Sequence, residues 1–280
     1  MQIRKILNIE NDGINIAICD NYMYIRCKRE ILKYNISNMS LLSQNTIFKK
    51  DGKARGFTVD DTYIYLFDFC DVYILHKDNL QVIESARIGT DLSSDVGGIR
   101  LDKNNAYISI RNGIIAVTDK KTIDVRFYEI SDSSFWDYLM FNQFIYAGSV
   151  KGELIEIDKN NMSVNRKKAI HKKNIYSLAL INGFIYSVSQ DMTIKITNIE
   201  TFEVVCVAKK AVGGMAKILG FFKDDIVVAD SNKISFWHKG DLSLLRKIDF
   251  PTGKFNKGVL LYENTLYGSD NQAVYTMELD

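Results

Sequence analysis

The sequence predicts an all-β fold, a seven-bladed β-propeller of four-stranded antiparallel blades whose ring is closed by the N-terminal strand completing the last blade. Three observations predict it. Short apolar, tyrosine-rich runs recur seven times, with Tyr24, Tyr65, Tyr107, Tyr146, Tyr186, Val227 and Tyr267 as equivalent positions spaced 41, 42, 39, 40, 41 and 40 residues apart. A second marker keeps step ten or eleven residues further on, at Tyr34, Leu75, Thr118, Ile157, Thr197, Trp237 and Met277. No window holds apolar positions three and four apart between helix caps, so each interval is filled by strands and turns. Units of about 40 residues with two apolar faces cannot bury those faces alone and must stack on neighbours. Stacking about an axis gives a propeller.

The whole chain, 1–280, is expected to form one propeller domain, and each blade follows from its own punctuation. The blades are placed at about 13–54, 55–96, 97–134, 135–174, 175–216 and 217–255, with 256–280 plus 1–12 as the seventh. Turn-forming residues mark the first hairpin of each: Asp20 and Asn21, Asp60 and Asp61, residues 102–105, Asn142 and Gln143, Asn182 and Gly183, Asp224 and Asp225, Glu263 and Asn264. The fifth blade is the clearest. Its apolar run 175–180 meets Asn182 and Gly183, a pair that supplies the positive φ angles of a type I′ hairpin. Residues 184–189 follow as a second strand, and Gln190, Asp191 and Met192 turn the chain. Residues 193–197 alternate apolar with polar as a third strand, and 202–207 read as a fourth. The last repeat holds only three strands, and residues 2–9 are an orphan strand that supplies its fourth. The single proline, Pro251, falls between repeats.

With 280 residues and 46% hydrophobic content, the chain is long enough to bury roughly three quarters of its unfolded surface. The net charge of +2 from 36 basic and 34 acidic side chains gives no global pull toward nucleic acid or a membrane surface. No apolar run approaches the roughly 20 residues of a membrane span, and residues 1–13 read as a strand rather than a secretory signal. Cys19, Cys27, Cys70 and Cys206 have no metal-ligand spacing and are expected to be reduced core thiols in a cytoplasmic protein.

The stretch 187–198, Ser-Val-Ser-Gln-Asp-Met-Thr-Ile-Lys-Ile-Thr-Asn, resembles the turn and third-strand signature of the WD-repeat (WD40) propellers, with Thr197 and Asn198 in place of Trp-Asp. His171 stands where that family has the histidine of its Gly-His pair. The resemblance implies a buried hydrogen-bond network of His171, Ser187 and Asp191, with a neutral imidazole donating to the carboxylate. Elsewhere it thins: Ile157-Asp158 and Thr118-Asp119 keep the Asp, and Trp237-His238 keeps the Trp.

His76, His171 and His238 lie in different blades, and no cluster has the convergence a metal needs. No catalytic residue, cofactor or metal site is predicted. Gly97-Gly98 and Gly213-Gly214 are too short to cradle phosphate. The loops between consecutive blades carry a basic arc of Lys172, Lys173, Lys209, Lys210, Lys217, Lys254 and Lys257, and beside it an acidic arc of Asp91, Asp95, Glu129, Asp132 and Asp137. Trp136 adds an aromatic anchor of the kind enriched at binding hot spots. These lysines and Trp136 are the candidate partner-binding residues. The expected partner is a protein or peptide, acidic to match the basic arc, bound by a monomer or a subunit of a larger complex. Nucleic acid is disfavoured because only Phe255 interleaves with the lysines. The leading reading is a non-catalytic protein- or peptide-binding scaffold. The alternative is a propeller enzyme of lyase, lactonase or quinoprotein type, with a site at the channel mouth drawing on Asn15, Arg55, Arg100, Asp137 and Ser177.

Overall fold

The computed structural model describes residues 2–9, 15–27, 29–47, 54–68, 71–87, 98–120, 122, 124–213, 215–231, 233–250, 258–270 and 272–280. These residues form seven four-stranded antiparallel sheets, six of which run first to fourth strand in chain order. In the seventh, Leu260–Tyr262, Thr265–Ser269 and Ala273–Glu278 are followed by Arg4–Asn8, which pairs antiparallel with Ala273–Glu278 from Arg4 opposite Thr276 to Asn8 opposite Ala273. The N-terminal strand therefore completes the last blade. The described residues cluster into two compact units. One comprises Met1–Tyr107, Val117–Arg126 and Pro251–Asp280; the other comprises Ile108–Ala116 and Phe127–Phe250.

In the fifth blade the strands are Ile175–Ile181, Phe184–Ser189, Ile194–Asn198 and Val204–Ala208. Its middle strands are buried on both faces because the neighbouring sheets cover them, whereas the fourth strand is an edge with alternating exposure. Asn182 and Gly183 both take positive φ, as a type I′ turn requires, and Asp20, Asn142 and Glu263 take positive φ at the matching place. In the sixth blade the positive φ falls on Lys223 and Asp225 already opens the second strand, so the turn lies one residue earlier than the Asp-Asp pair implies. The second and third blades turn differently. Asp60 Oδ1 accepts the N–H groups of Thr62 and Tyr63 while Oδ2 accepts the Tyr65 hydroxyl, and Asp102 repeats the pattern with Asn104, Asn105 and Tyr107.

The turn between third and fourth strands holds a device that the sequence pattern hides. Met39, Leu80, Met162, Phe202 and Leu242 each sit five residues after the second repeat marker, and each has φ between 55° and 60°. A bulky residue in this left-handed region costs about 1 kcal/mol or more. Each is held by an N–H donated to the carbonyl four residues back, for example Phe202 to Asn198 at 2.9 Å and Leu80 to His76 at 2.9 Å. The side chain before it, Asn38, Asn79, Asn161, Thr201 or Asp241, accepts the N–H that follows. The compensation is burial against the preceding blade. Leu80 shares a core with Tyr24 and Ile31, Phe202 with Tyr146 and Leu154, Leu242 with Tyr186 and Val188, and Met39 with Tyr267 and Val274. Phe202, expected to begin a strand, is instead this interblade wedge. Its ring lies 6.3 Å from that of Tyr146, and the Arg166 guanidinium sits 4.0 Å over it.

Two outcomes check this account. Phe202→Ala lowers the unfolding free energy by about 3 kcal/mol, and Phe202→Gly is at least as stable as the alanine variant because glycine removes the left-handed strain; urea denaturation of both gives the order. Removing residues 1–9 lowers the melting temperature by exposing the Ala273–Glu278 edge, and an unchanged melting curve contradicts the closing role of the strand.

Candidate functional site

The best-defined polar constellation lies at one end of the fifth blade. His171 precedes the first strand, Ser187 lies on the second, and Asp191 and Thr193 form the turn into the third. His171 Nδ1 is 3.1 Å from Asp191 Oδ2 and its Nε2 is 2.8 Å from Ser187 Oγ. Since a carboxylate only accepts, Nδ1 carries the proton and Nε2 takes the serine hydroxyl hydrogen. Thr193 Oγ1 donates to Asp191 Oδ1 at 2.6 Å, and the Lys172 and Thr193 N–H groups complete the carboxylate's shell at 2.9 and 3.1 Å. Thr193 is thus a fourth member of the network, beyond the three residues that the family resemblance implies. Burial pushes the His171 pKa down to about 4, against the pull of Asp191. Burial raises Asp191, but the Thr193 hydroxyl, the Lys172 N–H and the imidazole outweigh it and bring the carboxyl to about 2. The pair is thus neutral imidazole and carboxylate at neutral pH.

Serine, histidine and carboxylate in this order have the connectivity of a hydrolytic triad. Ser187 is fully buried, as is the imidazole, so no substrate carbonyl reaches the hydroxyl. The network instead fixes the loop from Ile170 to Asn174 onto the turn at 190–193. Ser189 Oγ donates to the Lys173 carbonyl, Gln190 N donates to the Asn174 carbonyl, and Ala211 N donates to the Met192 carbonyl. The loop that carries Lys209 and Lys210 is thereby joined to the same turn. Thr197, where the motif has tryptophan, is buried outside this network.

Lys172, Lys173, Lys209 and Lys210 are all exposed, and none has an ion-pair partner among the described residues. Lys217, also exposed, opens the first strand of the sixth blade. Lys254 and Lys257, like Asp91 and Asp95, lie outside the described residues. Of the remaining acidic arc, Glu129 is exposed at the end of the strand Val125–Glu129, and the other two carboxylates are engaged. Asp132 is paired with Lys151 at 2.6 Å, and Asp137 is buried, where it accepts the Ser177 hydroxyl at 3.0 Å and the Leu178 N–H at 2.9 Å. Asp137 and Ser177 are thus bound to each other between the first strands of the fourth and fifth blades, which takes both out of the set that an enzymatic site would use. Asn15 and Arg100 are half-buried on the first strands of their blades, and the side chain of Arg55 lies outside the described residues. Trp136 is half-buried, with its ring edge-on to Tyr176 at 5.7 Å and its indole N–H buried. It is an interblade contact rather than an exposed anchor.

His76 and His238 end the third strands of their blades. The first packs edge-on to Tyr63, and the second faces Asp241 at 3.0 Å. Among the described residues no group of three potential metal ligands converges, and Cys19, Cys27 and Cys206 carry free thiols.

Solved structures with this architecture settle the fold. A chain of the Mitotic Checkpoint Complex superposes with a TM-score of 0.81 at 12% identity, covering 100% of this chain and 91% of that one. The Cps50 (Swd1) β-propeller domain of Myceliophteria thermophila gives 0.76 at 11% identity, with 100% of both chains covered. The Pan2 WD40 domain of Neurospora crassa gives 0.73 at 14%, covering 95% and 89%. The fold is that of the WD40 β-propellers. No protein-family model matches the sequence, and no curated protein matches it. The propeller's resemblance to that family is therefore one of architecture, with a full hydrogen-bond network seen in the fifth blade.

The network makes the propeller sensitive to acid. His171 has a folded pKa below its ordinary 6.5, so the unfolded chain takes up the proton first and stability falls as pH drops from about 6.5 to 4. Asp191, also depressed, extends the loss below its ordinary 3.8. In His171→Gln the first segment of this loss, up to about 3 kcal/mol, disappears from urea denaturation midpoints measured between pH 7 and 4.

Proposed function

We propose that this propeller is a non-catalytic scaffold that binds a protein or peptide through the loops of its fifth and sixth blades. The observation that carries this reading is the run of Lys172, Lys173, Lys209 and Lys210, exposed and without ion-pair partners among the described residues, on two loops hydrogen-bonded to one turn. A frame that presents four exposed lysines on loops fixed to one turn keeps a positive potential available to steer and orient an acidic partner. One of the similar solved chains belongs to the Mitotic Checkpoint Complex, an assembly of proteins, in line with a role in protein association. The free thiols fit a reducing compartment such as the cytoplasm. The enzymatic alternative gains no support from the first strands, where Asp137 and Ser177 satisfy each other.

The test exchanges charge without touching the core. Lys172, Lys173, Lys209 and Lys210 are changed together to Glu, and proteins captured from the native host by wild type and variant are quantified side by side. The reading expects the captured partners to fall by about tenfold or more at an unchanged melting temperature. Partners captured equally by both proteins retire the basic surface.

A further inference from the structure

The turn at 190–193 carries a second feature besides its network. Met192 has φ of 65° and is 49% exposed. Two other blades show what this place in the fold takes. Gly113 in the third and Gly152 in the fourth have φ of 70° and 82°, and their carbonyls accept N–H groups from the following loop, Ile130 and Ser131 for one and Ile170 and His171 for the other. The Met192 carbonyl accepts Ala211 N in the same way. A Cβ at Gly113 would stand 2.1 Å from the Ser131 carbonyl oxygen and one at Gly152 2.3 Å from that of His171. At those turns the loop lies directly on the glycine. In the fifth blade the following loop leaves room for a side chain, and the side chain present is large, apolar and half in solvent.

Strain of this kind persists where the surroundings impose it, and it gathers at binding sites. The wedge residues offset theirs by burial; Met192 does not. Its backbone is fixed by the Ser189 carbonyl, which accepts its N–H at 3.0 Å, and by Ala211. The loop with Lys172 and Lys173 is bonded to this turn through Asp191 and Ser189, and the loop with Lys209 and Lys210 through the N–H of Ala211. The nearby carboxylates are engaged by neutral donors rather than by these lysines: Asp191 by His171, Thr193 and the Lys172 N–H, and Asp230 by the N–H of Gly213. An unbranched thioether side chain adapts its shape to a partner.

We infer that Met192 and its four flanking lysines form a docking site for a peptide that carries one large apolar side chain between acidic residues. The apolar side chain packs on Met192 and the carboxylates meet the lysines. The inference rests on the scaffold reading above and deepens it by assigning the site and the chemistry of the partner.

A random peptide library displayed on phage and selected against the intact protein tests it, followed by fluorescence anisotropy on the enriched peptides. The expected winners carry Asp or Glu on both sides of Leu, Ile, Phe, Met or Trp. They bind Met192→Gly and Lys172→Glu/Lys210→Glu at least about tenfold more weakly, while Met192→Gly keeps or raises the melting temperature because glycine suits that backbone. Winners that bind both variants as well as wild type, or that lack acidic residues, overturn this site and leave the scaffold reading standing. A selection that enriches nothing overturns both. A single-stranded DNA oligonucleotide that binds, loses affinity in the lysine variant and is indifferent to Met192→Gly also overturns the peptide site, since it makes the surface a phosphate binder.

Discussion

At four joints between blades, a tyrosine of one blade shares a core with an apolar residue that the next blade holds in left-handed backbone. Tyr267 meets Met39, Tyr24 meets Leu80, Tyr146 meets Phe202, and Tyr186 meets Leu242, each pair within one core cluster. The opposing terms explain why such a conformation survives five times over. Left-handed backbone costs about 1–2 kcal/mol for a bulky residue, whereas burying its side chain returns about 2–3 kcal/mol. The balance favours the wedge only while a preceding blade stands ready to cover it. A lone repeat has no such cover, and in this way the turn couples blade to blade. Tyr24, Tyr146, Tyr186 and Tyr267 supply the other half of that contact.

Polar groups reinforce the joints in ways that differ from blade to blade. Lys77 reaches back to Asp20 at 2.9 Å and Lys120 to Asp60 at 2.7 Å, from equivalent positions two residues after the second marker. At the next joint but one, the ion pair is inside a single blade: Arg166 holds the buried Glu156 at 2.8 Å and then donates to the Ile199 carbonyl of the following blade at 2.6 Å. Burial raises the Glu156 pKa, but Arg166, Asn165 and Tyr146 outweigh it and hold the carboxyl below the usual range. A buried carboxylate is tolerable only with such full pairing. These joints share geometry and not chemistry, so a motif defined by residue identity fits the fifth blade and slides past the others.

That division sets what was legible in the sequence. The repeat, the four-strand unit and the closing strand were readable because tyrosine period and turn residues are local signals. The wedge was not, since Phe202 or Leu80 after a polar turn reads as the start of an edge strand, and only φ reveals otherwise. Asp60, Asp102 and Asp270 each cap a turn and bond a tyrosine hydroxyl five residues on, a spacing visible in the sequence once the geometry is known. Asp137 was misread as a surface acid because nothing local distinguishes a loop carboxylate from one that accepts the N–H of Leu178 in the next blade. Trp136 failed for the same reason, its partner Tyr176 being 40 residues away. At the candidate site, residue types were readable, but the hydrogen bonds that tie two lysine-bearing loops to one turn were not.

The His171 network and the exposed lysines belong to one argument. A surface made of loops loses binding free energy to the ordering of those loops, and that cost falls when the loops are already fixed. In the fifth blade Asp191 holds Lys172 by its backbone, Ser189 holds Lys173, and the Met192 carbonyl holds Ala211 beside Lys210. The most complete WD-like network therefore holds the loops that carry the proposed binding residues. Four exposed lysines and the half-exposed Met192 stand on the backbone that this network fixes. In the proposed docking role the network serves as the base, with the backbone held in place before any partner arrives.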